Sequence, residues 1–258
     1  MSLKCILIIG ATFFLTSEVE RVASKELLEG SGTRRYSEEF YNTIFEITPC
    51  CKIFKNFTLE DVKNWADDLS TWEAPAELLQ KFPFYQAGYG VNNRPVWVFE
   101  FGKYDFKEQV SKGKERTAEL ARFMYQCALI MMEEGFRGRD ISGTNKNITQ
   151  GLGISDLDEY QFSQFTHRPT ITALLETFKT YSNLLNPVFS KLLFINVGFD
   201  PNLLKAFGTP LFGPLAKKME IFGRMNKWEP VLKKLVPDQS LPTWYGGSKD
   251  FKPVKVYG

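Results

Sequence analysis

The amino-acid sequence predicts an α/β protein whose sheet is largely parallel. Strand-like and helix-like segments alternate along its 258 residues, an order typical of βαβ units. Residues 192–197 are almost continuously apolar, as strands inside a parallel sheet are, and are therefore expected to be central. Residues 116–134 place apolar side chains at helical spacing, which predicts a long amphipathic helix packed on that sheet.

The N-terminal part of the chain predicts helices. Residues 17–56 are polar and mixed in composition, which predicts lead-in helices around an irregular turn. A helix through Leu69 is expected to begin at Thr58, because Asp61 three positions later completes a capping pattern. A second helix is predicted from Pro75, since proline is favoured in a first helical turn.

The remaining segments are assigned from periodicity, β-branched content and turn residues. The predicted elements, in order, are a first strand at 94–102, the helix at 116–134, a strand at 148–157, a helix after Pro169, the strand at 192–197, a helix from Pro201, a short strand at 218–222 and a last helix at 229–235.

Composition excludes several functions. The net charge of +2 gives no electrostatic case for nucleic-acid binding. His167 is the only histidine and the four cysteines form no C-x-x-C pair, so a zinc site is not expected. The sequence contains neither a nucleophile elbow nor a phosphate-binding glycine loop, which favours a protein that is not an enzyme and needs no cofactor. An excess of aromatic residues, 15% of the chain, has no explanation at this point.

The first 16 residues permit two interpretations. Lys4 and the apolar run that follows resemble a secretory signal peptide, and the alternative is an N-terminal segment that packs on the protein. The first interpretation implies secretion, whereas the second implies a cytoplasmic or peripheral membrane protein. The sequons at Asn56 and Asn147 are compatible with secretion, but removal of the leader would leave an odd number of cysteines, which favours a reducing compartment.

A series of short motifs follows one another in a fixed order along most of the chain. The series closes on Leu-Pro-x-x-Tyr-Gly-Gly, and this ordered succession resembles the CRAL-TRIO lipid-binding family, which includes retinaldehyde-binding, tocopherol-transfer and phosphatidylinositol-transfer proteins. The motifs are Trp-Glu-Ala-Pro at 72–75, Phe-Pro-Phe-Tyr at 82–85, Arg-Pro-Val at 94–96, Gly-Lys-Tyr-Asp at 102–105, Leu-Phe-Ile-Asn at 193–196, Pro-Leu-Phe at 210–212, Lys-Met-Glu-Ile-Phe-Gly at 218–223 and the closing motif at 241–247.

The resemblance implies a sheet floor and helical walls around one apolar pocket, closed by a mobile gate helix. The resemblance covers about residues 65–247, and the chain is expected to divide into the possible signal peptide or packing segment at 1–16, a helical region at 17–82 and a lipid-binding domain at 83–258. The implied gate residues are Pro201, Leu203, Leu204, Phe207, Gly208 and Leu211. The implied ligand-binding residues are Phe101, Tyr104, Met124, Phe162, Phe165, Leu174, Phe178, Tyr181, Leu204, Phe207, Leu211 and Phe212.

The resemblance also implies a function: binding one hydrophobic molecule and exchanging it at membranes. Family members that bind phosphatidylinositol use a Glu and a Lys for the headgroup, and these positions are Val188 and Thr209 here. The expected ligand is therefore an uncharged lipid or isoprenoid, such as a retinoid, carotenoid, tocopherol or sterol. Because Lys191 and Lys205 could supply the missing charge, phospholipid transfer is an alternative, as are a lipid-regulated interaction module and an unrecognised α/β enzyme. The near-neutral net charge favours membrane contact through the apolar gate rather than through a basic patch.

Overall fold

The computed structural model describes residues 34–49, 51–136, 150–198, 200 and 212–257. The chain forms two compact units, of which the first ends at Trp72 and the second begins at Glu73. The possible signal peptide at 1–16 and the predicted gate residues at 201–211 lie outside the described residues.

The first unit contains two helices, α1 (Glu38–Ile47) and α2 (Leu59–Thr71), with a 3-10 turn at Lys52–Phe54 between them. The predicted capping pattern of α2 is confirmed. The Asp61 backbone N–H donates to Thr58 Oγ1 at 3.2 Å, and the Thr58 N–H donates to Asp61 Oδ2 at 2.7 Å. The two bonds satisfy donors that the first helical turn would otherwise leave unpaired.

The second unit is built on a six-stranded sheet in the order β5-β4-β3-β2-β1-β6. Strands β2 to β5 run parallel to one another, whereas β1 is antiparallel to both β2 and β6. This is the mostly parallel α/β architecture that the sequence predicts. The strands are β1 (Phe84–Tyr89), β2 (Pro95–Phe99), β3 (Gly151–Asp156), β4 (Phe189–Ile195), β5 (Met219–Ile221) and β6 (Lys255–Tyr257). The α-helices described in this unit are α3 (Ala76–Lys81), α4 (Phe106–Ser111), α5 (Lys114–Phe136), α6 (Arg168–Leu185) and α7 (Met225–Leu235).

The two faces of the sheet differ in chemistry because strand side chains alternate between them. One face, here called the aliphatic face, packs against α7 through Trp228 and Leu232. Its sheet residues include Val96, Val98, Leu152, Ile154, Leu193 and Ile195. The other, here called the aromatic face, carries the alternate positions Phe84, Trp97, Phe99 and Phe194.

The sequence prediction needs two corrections at the antiparallel side of the sheet. The strand predicted at 94–102 is the second strand, not the first, because β1 precedes it and forms a hairpin with it. The pattern of β1 is broken by Gly88, where the register with β2 shifts, so its periodicity is weak. Strand β6 has three largely exposed residues and gave no apolar signal. Helix α7 also begins at Met225, four residues before the predicted start.

No helix among the described residues combines the length and apolar character needed to cross a bilayer.

Candidate functional site

A small apolar cavity lies between the aromatic face of the sheet and helices α4 to α6. Its volume is about 30 Å³, which is room for roughly one or two water molecules. The lining residues are uncharged and mostly aromatic. They are Phe82, Phe84, Phe99, Phe101, Tyr104, Phe106, Phe123, Met124, Cys127 and Tyr181.

Strand pairing brings the sheet part of the lining together. Phe84 of β1 and Phe99 of β2 are paired across the hairpin, and their rings stack with centroids 5.9 Å apart. A 3-10 helix, Phe101–Lys103, follows β2 at once and adds Phe101 to the same wall. A side chain at Gly102 in this helix is excluded, because a Cβ there would lie 1.5 Å from the carbonyl oxygen of Asp158.

Tyr104 is fixed in the wall by hydrogen bonds at both its side chain and its backbone. Its hydroxyl donates to the carbonyl oxygen of Pro83, just before β1. Its own carbonyl oxygen accepts from Gln164 Nε2 at 2.9 Å, and Gln164 Oε1 accepts from the Lys107 backbone N–H at 3.3 Å. Because Gln164 is buried, these bonds satisfy polar groups that water cannot reach.

The helical part of the lining comes mainly from one stripe of α5. Phe123, Met124 and Cys127 lie on successive turns of that helix, and Tyr181 of α6 completes the wall. Burial raises the pKa of the Tyr104 and Tyr181 hydroxyls and of the Cys127 thiol well above their ordinary values. All three groups are therefore neutral at physiological pH, and the cavity presents no formal charge.

Four of the residues predicted from the sequence to bind the ligand line this cavity. They are Phe101, Tyr104, Met124 and Tyr181.

Three further predicted residues are buried nearby but do not line the cavity. Phe178 packs between Tyr181 and Phe212, with ring centroids 5.5 and 5.4 Å away, and Phe212 also contacts Phe194 of the sheet. Leu174 is buried on α6. These side chains extend the apolar layer beyond the cavity wall.

The other predicted site residues are not described in atomic terms. Phe162 and Phe165 belong to a 3-10 helix, but their side chains lie outside the description. The predicted ligand contacts Leu204, Phe207 and Leu211 lie outside the described residues together with the rest of the gate.

Sequence reasoning missed six residues of the lining. Phe123 and Cys127 could have been found from helical spacing, since they flank Met124 on α5. Phe84 and Phe99 of the sheet could not have been found, because they are brought together only by pairing with strand β1, which was not recognised. The missed residues are Phe82, Phe84, Phe99, Phe106, Phe123 and Cys127.

The closing motif of the chain is held by a buried hydrogen-bond network at the carboxyl ends of β3 and β4. Tyr245 Oη donates to Asp156 Oδ2 at 2.8 Å, and Asn196 Nδ2 donates to Asp156 Oδ1 at 2.9 Å. Trp228 Nε1 of α7 donates to Asn196 Oδ1 at 2.8 Å. Gly246 then turns the chain with φ of 79°, a conformation that glycine adopts without steric cost. The tyrosine and first glycine of the motif therefore have structural roles on the aliphatic side of the sheet.

No group of three or more histidine, cysteine or acidic side chains that could hold a metal ion is found in the part of the chain that the structure describes.

No curated protein matches the chain. A solved structure titled "Crystal structure of Sfh5" is similar with a TM-score of 0.48 and 17% sequence identity, over 83% of this chain and 76% of that one. Residues 79–247, about two thirds of the chain, match the sequence model of the CRAL/TRIO domain. The chain therefore belongs to the CRAL/TRIO family of lipid-binding and lipid-transfer proteins.

Proposed function

We propose that the protein binds one uncharged hydrophobic molecule at the aromatic cavity and exchanges it at membranes. The observation that carries this proposal is the lining itself, in which eight of ten residues are aromatic and none is charged. Aromatic walls favour flat, ring-containing or conjugated molecules, because rings gain from offset or edge-to-face contacts as well as from burial. A retinoid, carotenoid, tocopherol or sterol fits these walls.

The charges of the described residues support an uncharged ligand over a phosphoinositide. Val188 stands where phosphatidylinositol-binding members have their Glu, and it is buried. Lys191 pairs with Leu152 of β3, so it lies on the aliphatic side of the sheet, and its Nζ is 2.5 Å from Glu220 Oε1. A phosphate group at the cavity would have no cation among the lining residues, and burying such a charge unpaired costs several kcal/mol.

The size of the cavity sets a requirement for binding. Pockets for drug-sized ligands measure about 300–1,000 Å³, whereas the cavity measures about 30 Å³. Ligand entry therefore requires the aromatic side chains of the wall to separate. The rings of Phe82, Phe101 and Phe106 contact other rings of the wall, and a bound ring system can replace those contacts while Tyr104 keeps its hydrogen bond to Pro83.

The first test is organic extraction of the purified protein, followed by mass spectrometry and an absorption spectrum. The expected result is one hydrophobic molecule per chain, or stoichiometric uptake of one from liposomes. Recovery of a phospholipid instead would favour the phospholipid-transfer alternative. If no molecule is recovered and none is taken up, the carrier proposal is wrong.

A pair of matched substitutions on α5 tests the location of the site. Met124→Trp places a larger side chain in the cavity wall, whereas Met132→Trp makes the same change at a buried position of the same helix that does not line the cavity. Both overpack the interior, so both are compared with the wild type by circular dichroism. Only Met124→Trp should lower ligand affinity, by about tenfold or more. Equal losses in the two variants would show that the ligand binds elsewhere.

Exchange is proposed to occur through the gate segment, on the basis of its sequence. A helix with Phe207 and Leu211 on its apolar side would cover a cavity when shut and enter lipid when open. Phe207→Asp and Leu211→Asp should slow transfer between vesicles while leaving the fold intact. Unchanged transfer rates would contradict this assignment of the gate.

A further inference from the structure

The exposed apolar side chains of the second unit are concentrated in one layer. This layer consists of residues 224–251, which cover the aliphatic face, and residues 252–257, which end in the edge strand β6; together they contain four of the seven large apolar side chains that are exposed among the described residues. Trp244 is the largest of these and is 58% exposed. The four are Met225, Trp244, Val254 and Val256.

The same layer holds a strong excess of positive charge. Residues 224–257 contain seven basic and three acidic side chains, a net charge of +4, whereas the whole chain has +2. The rest of the chain is therefore net negative, so the near-neutral total does not describe the surface. All seven basic side chains are exposed, namely Arg224, Lys227, Lys233, Lys234, Lys249, Lys252 and Lys255.

The fold directs these side chains outwards because their neighbours are held in the core. Tyr245 is buried against Trp228, with ring centroids 6.1 Å apart, so the adjacent Trp244 projects to the surface. The turn that follows lies against α7, since a Cβ at Gly246 would be 3.1 Å from Lys233 Cε. Trp244 is thus displayed next to the lysines of that helix.

Strand β6 adds apolar side chains to the same side of the sheet. Val256 pairs with Tyr85, whose ring packs against the aliphatic core. Val254 is two residues earlier and its N–H donates to the Gln86 carbonyl oxygen at 2.9 Å, so strand alternation places it on that side too. Lys255 points to the opposite side, where its Nζ lies 4.8 Å from the Tyr257 ring centroid.

We propose that the outer surface of this layer is a docking surface for anionic membranes. The docking surface is defined by Trp244, Met225, Val254 and Val256 with Lys227, Lys233 and Lys234. Tryptophan favours the headgroup region of bilayers, and each lysine near an anionic surface adds attraction that salt weakens. Single apolar side chains set among lysines suit a lipid surface better than a protein partner, whose contact would require a contiguous apolar core. This surface lies on the side of the sheet opposite the cavity, so it attaches the protein to a membrane independently of the proposed exchange through the gate.

The test is sedimentation of the full chain with vesicles of phosphatidylcholine alone, or with added phosphatidylserine. The wild type should bind the anionic vesicles, and added salt should weaken that binding. Trp244→Ser should weaken it by about fivefold or more, because an interfacial anchor is lost. Its control is Leu175→Ser on α6, which removes another exposed apolar side chain and should leave binding unchanged.

Charge reversal tests the basic component. Lys227 and Lys234 are exposed, seven residues apart on one side of α7, and form no ion pair among the described residues. Reversing both should reduce binding to anionic vesicles by about tenfold or more. The control reverses two exposed lysines elsewhere, Lys55 and Lys114, with the same change in net charge.

Two outcomes would overturn the proposal. One is equal weakening by the docking-surface and control variants, which would show that only net charge matters. The other is binding to a DNA duplex but not to anionic vesicles, which would identify a nucleic acid as the partner. Ligand recovery by extraction is measured on the same variants and should not change. A protein that binds vesicles but holds no ligand would refute the carrier function and leave the docking surface intact.

Discussion

Two tyrosines on the same side of the sheet, each with a buried hydroxyl, should respond differently to removal of that hydroxyl. The Tyr245 hydroxyl donates to Asp156 Oδ2 at 2.8 Å. The Tyr85 hydroxyl is buried and has no hydrogen-bond partner in the part of the chain that the structure describes. Tyr245→Phe and Tyr85→Phe therefore make the same chemical change, but only the first breaks a bond.

The expected magnitudes follow from these contacts. A hydrogen bond to a charged group contributes about 1.5–3 kcal/mol. Asp156 keeps the Asn196 side chain and the Asp158 N–H as donors, at 2.9 Å each, so a loss near the lower limit is expected for Tyr245→Phe. An unpartnered buried hydroxyl costs about 1–3 kcal/mol. Tyr85→Phe should therefore leave the free energy of unfolding unchanged or raise it by up to about 1 kcal/mol.

Urea unfolding monitored by circular dichroism and tryptophan fluorescence measures both effects. In thermal unfolding of a unit of this size, a loss of about 1.5–2 kcal/mol corresponds to a fall in Tm of roughly 3–8 °C. The midpoints are compared only where the slope of the unfolding curve is unchanged. If Tyr85→Phe destabilises the protein as much as Tyr245→Phe, the Tyr245 hydrogen bond does not account for the loss, and the network is not a specific anchor of the closing motif.

Three further predictions concern other parts of the molecule. Hydrogen bonds, chiefly from neighbouring lysines, lower the pKa of Glu77 to about 2 from an ordinary 4.5. The contribution of Glu77 to stability is therefore present above pH 4.5 and is lost as the pH falls towards 2. Glu77→Gln should flatten that part of a curve of Tm against pH, and an unchanged curve would contradict this. Gly102→Ala should lower Tm by much more than Gly198→Ala, because a Cβ at Gly102 would meet backbone, whereas at Gly198 no atom of the described residues lies within 4 Å of it. Thr58→Ala should cost about 1 kcal/mol of stability through the lost cap, and Thr43→Ala, at a partly exposed position inside α1, should cost distinctly less, as judged by thermal unfolding.

The sequence predicted those helices and strands whose own periodicity or composition is distinctive. The long helix α5 and the apolar strand β4 follow from periodicity and composition alone, and the parallel order follows from their alternation with other elements. Strand β1 did not follow, because its register shifts at Gly88 and its backbone is satisfied only by pairing with β2 and β6. Sequence periodicity contains no information about such pairing.

The residues that line the cavity were likewise predicted from local patterns but not from pairing across the sheet. Met124 was predicted because helical spacing and the family resemblance both indicated it. Phe84 and Phe99 were not, although they are paired in the sheet, because fifteen positions and an unrecognised hairpin separate them in the sequence. Phe178 packs on Phe212 beside the cavity, and its contact with a ligand stays a prediction. Periodicity identifies the buried side of α6 but not the neighbour that each side chain meets.

The position of β6 has a consequence for the solubility of the chain. β6 pairs with β1 along residues 84–86 and thereby covers backbone donors and acceptors that would otherwise form an open edge of the sheet. An open edge beside apolar residues is a template for pairing with a second molecule, and such pairing leads to aggregation. The outer edge now belongs to β6, where Pro253 and the charged Lys255 oppose the addition of another strand. The short strand β6, whose Tyr257 ring stacks on Phe84, thus protects the hairpin of β1 and β2 from self-association.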